Sequence, residues 1–233
     1  MVDFHSHILP GVDDGSRCVD ESIRMLRLEA EQGIRHVVAT PHFYPLYDAP
    51  QRFIDRRNKA AEALRQEMGK YSGLPEITLG AEVYYFRGMS ESVYLDQLTI
   101  GDSRYILIEL PEAPWPNAVF DELLKIRQRR NLIPVIAHID RYIGPFRTLG
   151  IPKRLRELPV LVQANASFFV NPWTTPMALR MLKTENVHLI GSDCHNMDSR
   201  LPNMAQTIET IRRRLGENTL EKIHMYERSI LGR

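Results

Sequence analysis

The chain has 233 residues, 43% of them hydrophobic, and its 30 basic and 29 acidic residues leave a net charge of +1. This length suits one large domain with a sizeable core, so we expect residues 1–233 to form a single domain. The balanced charge, without a basic tract, argues against nucleic acid as a partner, and no apolar stretch is long enough for membrane insertion. Two cysteines are too few for a disulfide framework, so we expect a cytoplasmic location.

Short apolar runs of β type alternate along the chain with longer amphipathic patterns. The seven predicted strands are 2–5, 36–40, 77–81, 105–109, 133–137, 160–164 and 187–191. The predicted helices lie at 19–32, 50–70, 118–130, 152–158, 176–184, 204–216 and 220–232. This alternation predicts an α/β fold with a parallel sheet, which is either an open doubly wound sheet or a closed barrel.

Ionisable side chains gather at the carboxyl ends of the predicted strands. Six of the seven strands end beside a histidine or a carboxylate, whereas the sixth in chain order ends in the uncharged Gln163-Ala164-Asn165. These ionisable residues are His5, His7, His42, Glu82, Glu109, His138, Asp193 and His195, and Asp14 follows the first strand after a Pro-Gly turn. Because the carboxyl ends of parallel strands build the active site, we expect them to meet at one rim.

A buried rim of five histidines and four carboxylates needs positive charge, which metal ions supply. Side chains two apart on a strand point the same way, so His5 and His7 can bind one ion, as can Asp193 and His195. Cys194 should then point into the packing. Imidazole and carboxylate ligands without thiolate suit Mn, Fe, Zn or Co. The candidates outnumber the ligands of one ion, so we predict a cluster of two or three divalent metals.

Each residue also has an ordinary structural interpretation. An isolated histidine such as His42 is usually a hydrogen-bonded structural residue, and Glu109 could pair with Arg104 or Arg141. We expect Asp13 to cap the helix that follows it. Only the combination of these residues at one rim favours a metal centre.

Five motifs in order, HSH, TPHF, GAE, AHIDR and SDCH, resemble the PHP (polymerase and histidinol phosphatase) family. The opening DFHSHILPGVDDGS, with ATPHF, GAEVYY, LIELP and SDCHN, is similar to its CpsB/CapC type, the bacterial metal-dependent protein-tyrosine phosphatases of capsule and exopolysaccharide loci. The resemblance extends from His5 to about Arg200. It implies a distorted seven-stranded (β/α)7 barrel, the PHP fold, with a trinuclear centre at the carboxyl-terminal rim, for which Mn is the expected metal and Fe, Zn, Co or Mg are alternatives.

Carried over residue by residue, the resemblance also implies which side chains hold each ion. The first ion would take His5, His7, Glu82 and Asp193. The second would share Glu82 and add Glu109 and His138, and the third would take Asp14, His42 and His195. Arg141 and Arg200 match the arginines that bind phosphate in the family. Where its members typically read His-Pro-Glu-Arg, this chain reads His138-Ile139-Asp140-Arg141.

The resemblance implies hydrolysis of phosphotyrosine on a bacterial tyrosine autokinase or a related protein. Clustered cations lower the pKa of bound water, and tyrosinate, whose phenol has a pKa of about 10, leaves without a strong general acid. Three alternatives use the same centre. They are a small-molecule phosphatase of the histidinol-phosphatase type, a phosphodiesterase, and a non-catalytic metal-stabilised module that binds a kinase.

A cysteine-dependent phosphatase is a further alternative. Cys18 and Arg24 have the bare Cys-x5-Arg spacing of that class. However, no glycine lies between them, and we expect Cys18 to lie within a helix, where the backbone amides cannot encircle phosphate.

Three irregular stretches, 44–50, 84–101 and 143–152, are expected to be active-site loops. Aromatic residues in the predicted rim loops could stack on a substrate ring or simply pack locally. They are Tyr47, Tyr84, Tyr85, Phe86 and Trp115.

Overall fold

The computed structural model describes residues 1–112, 114–143 and 150–232, so the predicted loop 143–152 lies mostly outside the described residues. The strands are β1 (Val2–Ser6), β2 (His36–Ala39), β3 (His42–Phe43), β4 (Glu76–Leu79), β5 (Glu82–Tyr84), β6 (Tyr105–Glu109), β7 (Ile133–Ile136), β8 (Leu161–Asn165) and β9 (Leu189–Gly191). The α-helices are α1 (Val19–Glu31), α2 (Pro50–Met68), α3 (Asn117–Arg130), α4 (Ile151–Arg156), α5 (Ala166–Val170), α6 (Thr175–Lys183), α7 (Met204–Leu215) and α8 (Glu217–Leu231).

All the pairings among these strands are parallel, which confirms the predicted α/β class. One sheet has the order β1-β2-β4 and the other the order β3-β5-β6-β7-β8-β9. A bridge between Ser6 and Cys194 brings the end of β9 back to β1, where the His7 N–H donates to the Cys194 carbonyl at 2.9 Å. The parallel strands therefore curl round, and the alternative of an open doubly wound sheet is wrong.

Each predicted strand position contains a strand, but the second and third positions are each broken into two short strands. β2 ends at Ala39 and β3 begins at His42, while β4 ends at Leu79 and β5 begins at Glu82. Pro41 lies in the first break and has no amide hydrogen to donate. The Glu82 N–H donates to the Pro41 carbonyl at 3.0 Å, so the chains stay paired across the break. The described residues therefore contain nine strands rather than seven.

The predicted helices are present with small shifts at their ends, and their apolar faces pack on the strands. In α1, Ile23 and Leu26 lie on the buried face, and Gly33 follows the helix with a φ of 81°, a left-handed conformation that suits glycine. The unpredicted α5 has five residues, ASFFV, too few for a helical period to show. No helix among the described residues is long and apolar enough to cross a bilayer.

Candidate metal centre

The nine predicted ligands lie together at the carboxyl ends of the strands, in one network of close contacts. Within the described residues, three groups have donor atoms within 4.8 Å of one another: His7, Asp14, His42 and His195; His5, His7 and Asp193; and His42, Glu82 and Glu109. His138 joins them through its Nε2, 2.7 Å from Glu82 Oε1. Six of the nine are buried, His42 and Glu109 are half-buried, and Asp14 is exposed.

The three groups overlap, so the side chains form one continuous cluster. His7 belongs to two groups, and its ring centroid lies 3.8 Å from that of His195. His42 also belongs to two, because its Nδ1 lies 2.8 Å from Glu82 Oε2 and its Nε2 lies 3.6 Å from Asp14 Oδ1. The resemblance implies one metal position for each of these histidines, and in the structure each also lies close to the donors of a second group.

Three histidines of the cluster have an acceptor at Nδ1. The first acceptor is Gln163 Oε1, which lies 3.3 Å from His5 Nδ1. The same oxygen accepts the backbone N–H of His138 at 2.6 Å, and this bond orients the Gln163 side-chain amide. His7 Nδ1 lies 2.6 Å from Asp13 Oδ2, and His195 Nδ1 lies 3.0 Å from the Asp193 carbonyl. Each Nδ1 is therefore a donor, and in a neutral ring each Nε2 carries a lone pair directed into the cluster.

The lone pairs that face the cluster lack protein donors. His5 Nε2 and His7 Nε2 lie 3.1 Å apart, although in neutral rings both are acceptors. Among the described residues, His195 Nε2 and Glu109 Oε2 are buried without a hydrogen-bond partner. Buried acceptors normally have a donor, and the alternative here is a bound cation. The donor set therefore fits divalent metal ions.

The electrostatics show the same requirement for positive charge. Burial by itself would raise the pKa of Glu82, but the charge of His5 and hydrogen bonds from His138 and His42 hold that pKa well below its usual value. Burial would lower the pKa of His5, yet Glu82 and Asp193 raise it. The cluster is stable when its carboxylates are ionised and cations or protons balance them. Metal binding would therefore displace protons from the histidines.

Asp13 orients the cluster and does not cap a helix, so its predicted role is wrong. Helix α1 begins at Val19 after Cys18 and has no side-chain cap, and the hydrogen bonds of Asp13 go to other groups. Besides contacting His7, Asp13 Oδ2 accepts the His42 N–H at 2.8 Å, and Asp13 Oδ1 accepts the Gly15 N–H at 3.0 Å. A Cβ at Gly15 would lie 2.2 Å from the His7 carbonyl oxygen, so only glycine lets this loop approach β1.

The uncharged end of β8 contributes hydrogen bonds that the sequence did not indicate. Gln163 Nε2 donates to Asn165 Oδ1 at 3.1 Å, and Asn165 Nδ2 donates to Asp193 Oδ2 at 3.0 Å. Asp140 Oδ1 accepts the Asn165 N–H at 2.8 Å and so anchors the loop that carries Arg141. The polar residues at the end of this strand were a sequence signal for a role near the site, but the groups to which they hydrogen-bond can be identified only in the folded chain.

Two proposed ligands have strained backbones. His138 has a φ of 30° and Asp193 a φ of 54°, in the left-handed region that residues with a Cβ rarely adopt. Such strain concentrates at functional sites, where the surrounding structure enforces it. Gly191 allows the close approach behind Asp193, because a Cβ there would lie 2.5 Å from the Cβ of His5.

The two arginines predicted to bind phosphate both reach the cluster at Asp193. Arg200 Nη2 lies 2.8 Å from Asp193 Oδ1, and Arg141 Nη2 donates to Asp193 Oδ2. Arg141 also lies 3.7 Å from Glu109, whereas Arg104 hydrogen-bonds to Asn131 instead. Both are partly exposed, with 41% and 37% of the Arg141 and Arg200 side chains accessible. They therefore line the open side of the cluster.

The two cysteines lie outside the cluster. Cys18 is exposed and immediately precedes α1, so its predicted place within the helix is wrong. Arg24 follows inside α1 with an exposed side chain. Cys194 is buried with its Sγ 3.9 Å from Glu29 Oε1, so it points into the packing as predicted.

The aromatic residues of the predicted rim loops separate into two sets. Tyr47 is 82% exposed, whereas Trp115 is buried, with its indole N–H donating to the Pro111 carbonyl. Tyr85 and Phe86 pack against the core. Tyr84 lies beside Tyr44, with ring centroids 5.6 Å apart, and Tyr44 was not singled out from the sequence.

Comparison with known proteins places the chain among bacterial proteins of similar length. Residues 1–231 match the family described as capsular polysaccharide synthesis, CpsB/CapC. The tyrosine-protein phosphatase CpsB of Streptococcus pneumoniae is 29% identical over 96% of this chain and 94% of its own length. The tyrosine-protein phosphatase YwqE of Bacillus subtilis is 29% identical over 86% of this chain and 79% of its own length.

Solved structures show the same similarity. A crystal structure from the study of YwqE of Bacillus subtilis and CpsB of Streptococcus pneumoniae, described as unique metal-dependent tyrosine phosphatases, matches with a TM-score of 0.84 and 26% identity, covering 99% of this chain and 95% of that one. A TatD-like protein from Archaeoglobus fulgidus, at 17% identity and a TM-score of 0.53, covers 96% of this chain and shares the fold.

Proposed function

We propose that the chain, which belongs to the CpsB/CapC family, is a metal-dependent protein-tyrosine phosphatase. The observation that carries this proposal is the 3.1 Å approach of His5 Nε2 to His7 Nε2, two acceptors directed at each other within a ring of carboxylates. The relatives named as tyrosine phosphatases and the metal-dependent solved structure support it.

The cluster would hold two or three divalent ions, with Mn the expected metal. His5, His7, Asp193 and Glu82 would surround one position, Glu82, Glu109 and His138 a second, and Asp14, His42 and His195 a third. Ions bound there would activate water as the nucleophile and neutralise the phosphoryl charge. Asp13, Gln163 and the Asp193 carbonyl hold three imidazoles in the tautomer that presents Nε2 to the cluster.

Arg141 and Arg200 would orient the phosphoryl group. Guanidinium groups bind phosphate oxygens through paired charge-assisted hydrogen bonds, and both arginines have exposed surface on the open side of the cluster. Asp193 positions them, since each arginine contacts a different one of its carboxylate oxygens. Neither arginine needs to move a proton, because tyrosinate leaves without a strong acid.

The substrate would be phosphotyrosine on a bacterial tyrosine autokinase or a related protein, in the regulation of capsule or exopolysaccharide synthesis. The family description and the names of the relatives support this assignment. We further propose a single cytoplasmic domain with a distorted seven-stranded barrel. If each broken strand pair counts as one strand, β1 to β9 occupy seven positions in the order of the observed pairings.

A comparison of substrates tests the proposal. The Mn-loaded protein should hydrolyse a phosphotyrosine peptide with a higher kcat/KM than it hydrolyses histidinol phosphate or other small esters. The reverse preference would support the small-molecule alternative, and binding of the peptide without turnover would support the non-catalytic one.

Replacement of Cys18 separates metal chemistry from cysteine chemistry. We expect Cys18→Ser to change kcat/KM on the peptide by less than about twofold, as for an exposed residue outside the site. Loss of hydrolysis in a folded, metal-loaded C18S protein would contradict the metal-dependent assignment.

A further inference from the structure

A cavity opens directly beside the candidate metal centre. Its volume is about 440 Å³, within the range of small-molecule sites, and its walls include Asp14 and His42 of the cluster. The opposite walls come from the loop after β3 and the start of α2, where they include Tyr44, Tyr47 and Arg56. The cavity therefore adjoins the proposed metal position of Asp14 and His42, and it extends away from the cluster.

Tyr44 forms the aromatic wall of this cavity. Its ring stacks on His42 with centroids 5.1 Å apart and an interplanar angle of 28°, and Tyr84 supports it from the side. Phe43, between His42 and Tyr44, points the other way into the core and packs on Phe53. The alternation along β3 thus places His42 and Tyr44 on the same side.

Tyr44 combines a fixed ring with an accessible surface. It is 37% exposed, and its hydroxyl makes no hydrogen bond to the residues that the structure describes. A ring with one face supported by His42 and part of its surface open is suited to contact another aromatic ring.

The outer end of the cavity is held in place by ion pairs. Asp48 lies 2.6 Å from Arg52 Nε and 2.7 Å from Arg56 Nη2, and Arg56 Nε donates to the Val12 carbonyl at 3.2 Å. These bonds connect α2 to the loop after β1. The cavity is therefore bounded by the loop that carries Asp14 and by the loop that follows His42 and Phe43 of β3.

We propose that this cavity is the subsite for the aromatic ring of the phosphorylated tyrosine, and that Tyr44 is the residue that selects aryl over alkyl phosphates. The inference rests on the proposed function, since it assigns the leaving-group side of the same site. A phosphotyrosine whose phosphate lies at the metal cluster, beside His42, would have this cavity and Tyr44 available for its ring. A phosphoserine has no ring to make that contact.

The test compares two inhibitors on the Mn-loaded protein. One is a peptide with a non-hydrolysable phosphonomethyl-phenylalanine, and the other is inorganic phosphate, which has no ring. Tyr44→Leu should weaken binding of the aryl phosphonate by about two- to tenfold, the range for an aromatic pair, and leave phosphate binding unchanged. Tyr44→Phe should restore aryl phosphonate binding, because the ring and not the hydroxyl makes the contact.

Tyr71 offers a matched control. It is an equally exposed tyrosine, at 38%, but it follows the far end of α2 and lies under the guanidinium of Arg27. Tyr71→Leu should leave the binding of both inhibitors unchanged. A second measurement, kcat/KM on peptides that differ only in phosphotyrosine or phosphoserine, should show Tyr44→Leu lowering the aryl-to-alkyl ratio by the same factor.

Several outcomes would overturn the inference. Equal weakening of aryl phosphonate and phosphate by Tyr44→Leu would show that Tyr44 only supports His42. An unchanged aryl-to-alkyl ratio would show that the ring binds elsewhere, and failure of Tyr44→Phe to restore binding would assign the effect to the hydroxyl. A wild-type protein that hydrolyses small esters but neither binds the aryl phosphonate nor hydrolyses phosphotyrosine would contradict the proposed function itself.

Discussion

Two clusters of buried carboxylates lie near each other where β1 meets the end of β9, and the pKa values of their most buried carboxyls shift in opposite directions. In the candidate metal centre, interactions with histidines hold the pKa of Glu82 and of Asp193 well below the usual values despite burial. In the second group, formed by Asp3, Glu29 and Cys194 and called here the acid cluster, burial raises the pKa of both carboxyls. Close carboxylates alone therefore do not define a metal site.

The difference lies in the neighbouring donors. Asp3 Oδ1 accepts the Ser192 N–H at 2.8 Å, and the Ser192 hydroxyl donates to Asp3 Oδ2. Glu29 contacts Asp3 and the Cys194 thiol, so a proton between the two carboxyls satisfies the pair. No histidine belongs to this cluster among the described residues. In the acid cluster, protons on the carboxyl groups themselves remove the negative charge, whereas the metal centre needs cations to balance its carboxylates.

The largest expected effect comes from neutralising the central carboxylate of the metal centre. Glu82→Gln should lower kcat/KM on a phosphotyrosine peptide by at least about a hundredfold and reduce the number of bound ions, because in the proposed assignment Glu82 would be shared between two metal positions. Glu122→Gln is the matched control, since Glu122 on α3 is also buried but lies outside the cluster, where its Oε1 accepts the Ser90 N–H at 2.8 Å. Full metal content and full activity in E82Q would show that Glu82 is not needed to bind metal, and would contradict the assignment of this cluster as the metal centre.

A smaller effect, on metal affinity, should follow from changing Asp13, which contacts the candidate ligand His7. Asp13→Asn removes the negative charge that holds the His7 imidazole, so Mn affinity should fall by about 10- to 100-fold. Calorimetric titration of the metal-free protein with Mn measures this directly. Unchanged affinity in D13N would mean that the 2.6 Å contact to His7 Nδ1 only shapes the loop.

The acid cluster should respond to pH and not to metal. The raised pKa of Glu29 means that the folded state binds more protons than the unfolded state above the ordinary carboxyl pKa, so the free energy of unfolding falls as pH rises through that interval. Glu29→Gln cannot ionise and should lose this slope. Relative to wild type, E29Q should therefore gain stability, on the order of 1 kcal/mol, between pH 5 and pH 8.

Urea unfolding of both metal-free proteins at the two pH values gives the comparison, and Mn affinity serves as the control. A constant difference between wild type and E29Q across this range would show that Glu29 is ionised like an ordinary carboxylate. A large loss of Mn affinity in E29Q would place the acid cluster within the metal site.

The gathering of the candidate ligands at one rim could be predicted from the sequence because strand periodicity and strand ends are local features. His5 and His7 point the same way on one strand, and this can be inferred without knowing the rest of the chain. The role of Asp13 could not be inferred in this way, since it depends on a loop folding back onto His7. Gln163 likewise acts on His5 and His138, residues of two other strands.

The fold shows the same division between local and non-local features. The α/β alternation was visible from apolar periods, but the breaks at Pro41 and Gly80 could not be distinguished from ordinary strand ends. They become visible only when β3 and β5 pair in the second sheet. Tyr44 was missed because its contact with His42 depends on how β3 leaves that sheet.

Metal content measured together with activity tests the central claim most directly. The protein is purified, stripped of metal with chelator, verified as metal-free by elemental measurement, and then titrated with Mn while phosphotyrosine hydrolysis is followed. We expect two or three ions per chain to bind and hydrolysis to return from background in parallel. Full activity of the verified metal-free protein would contradict the account.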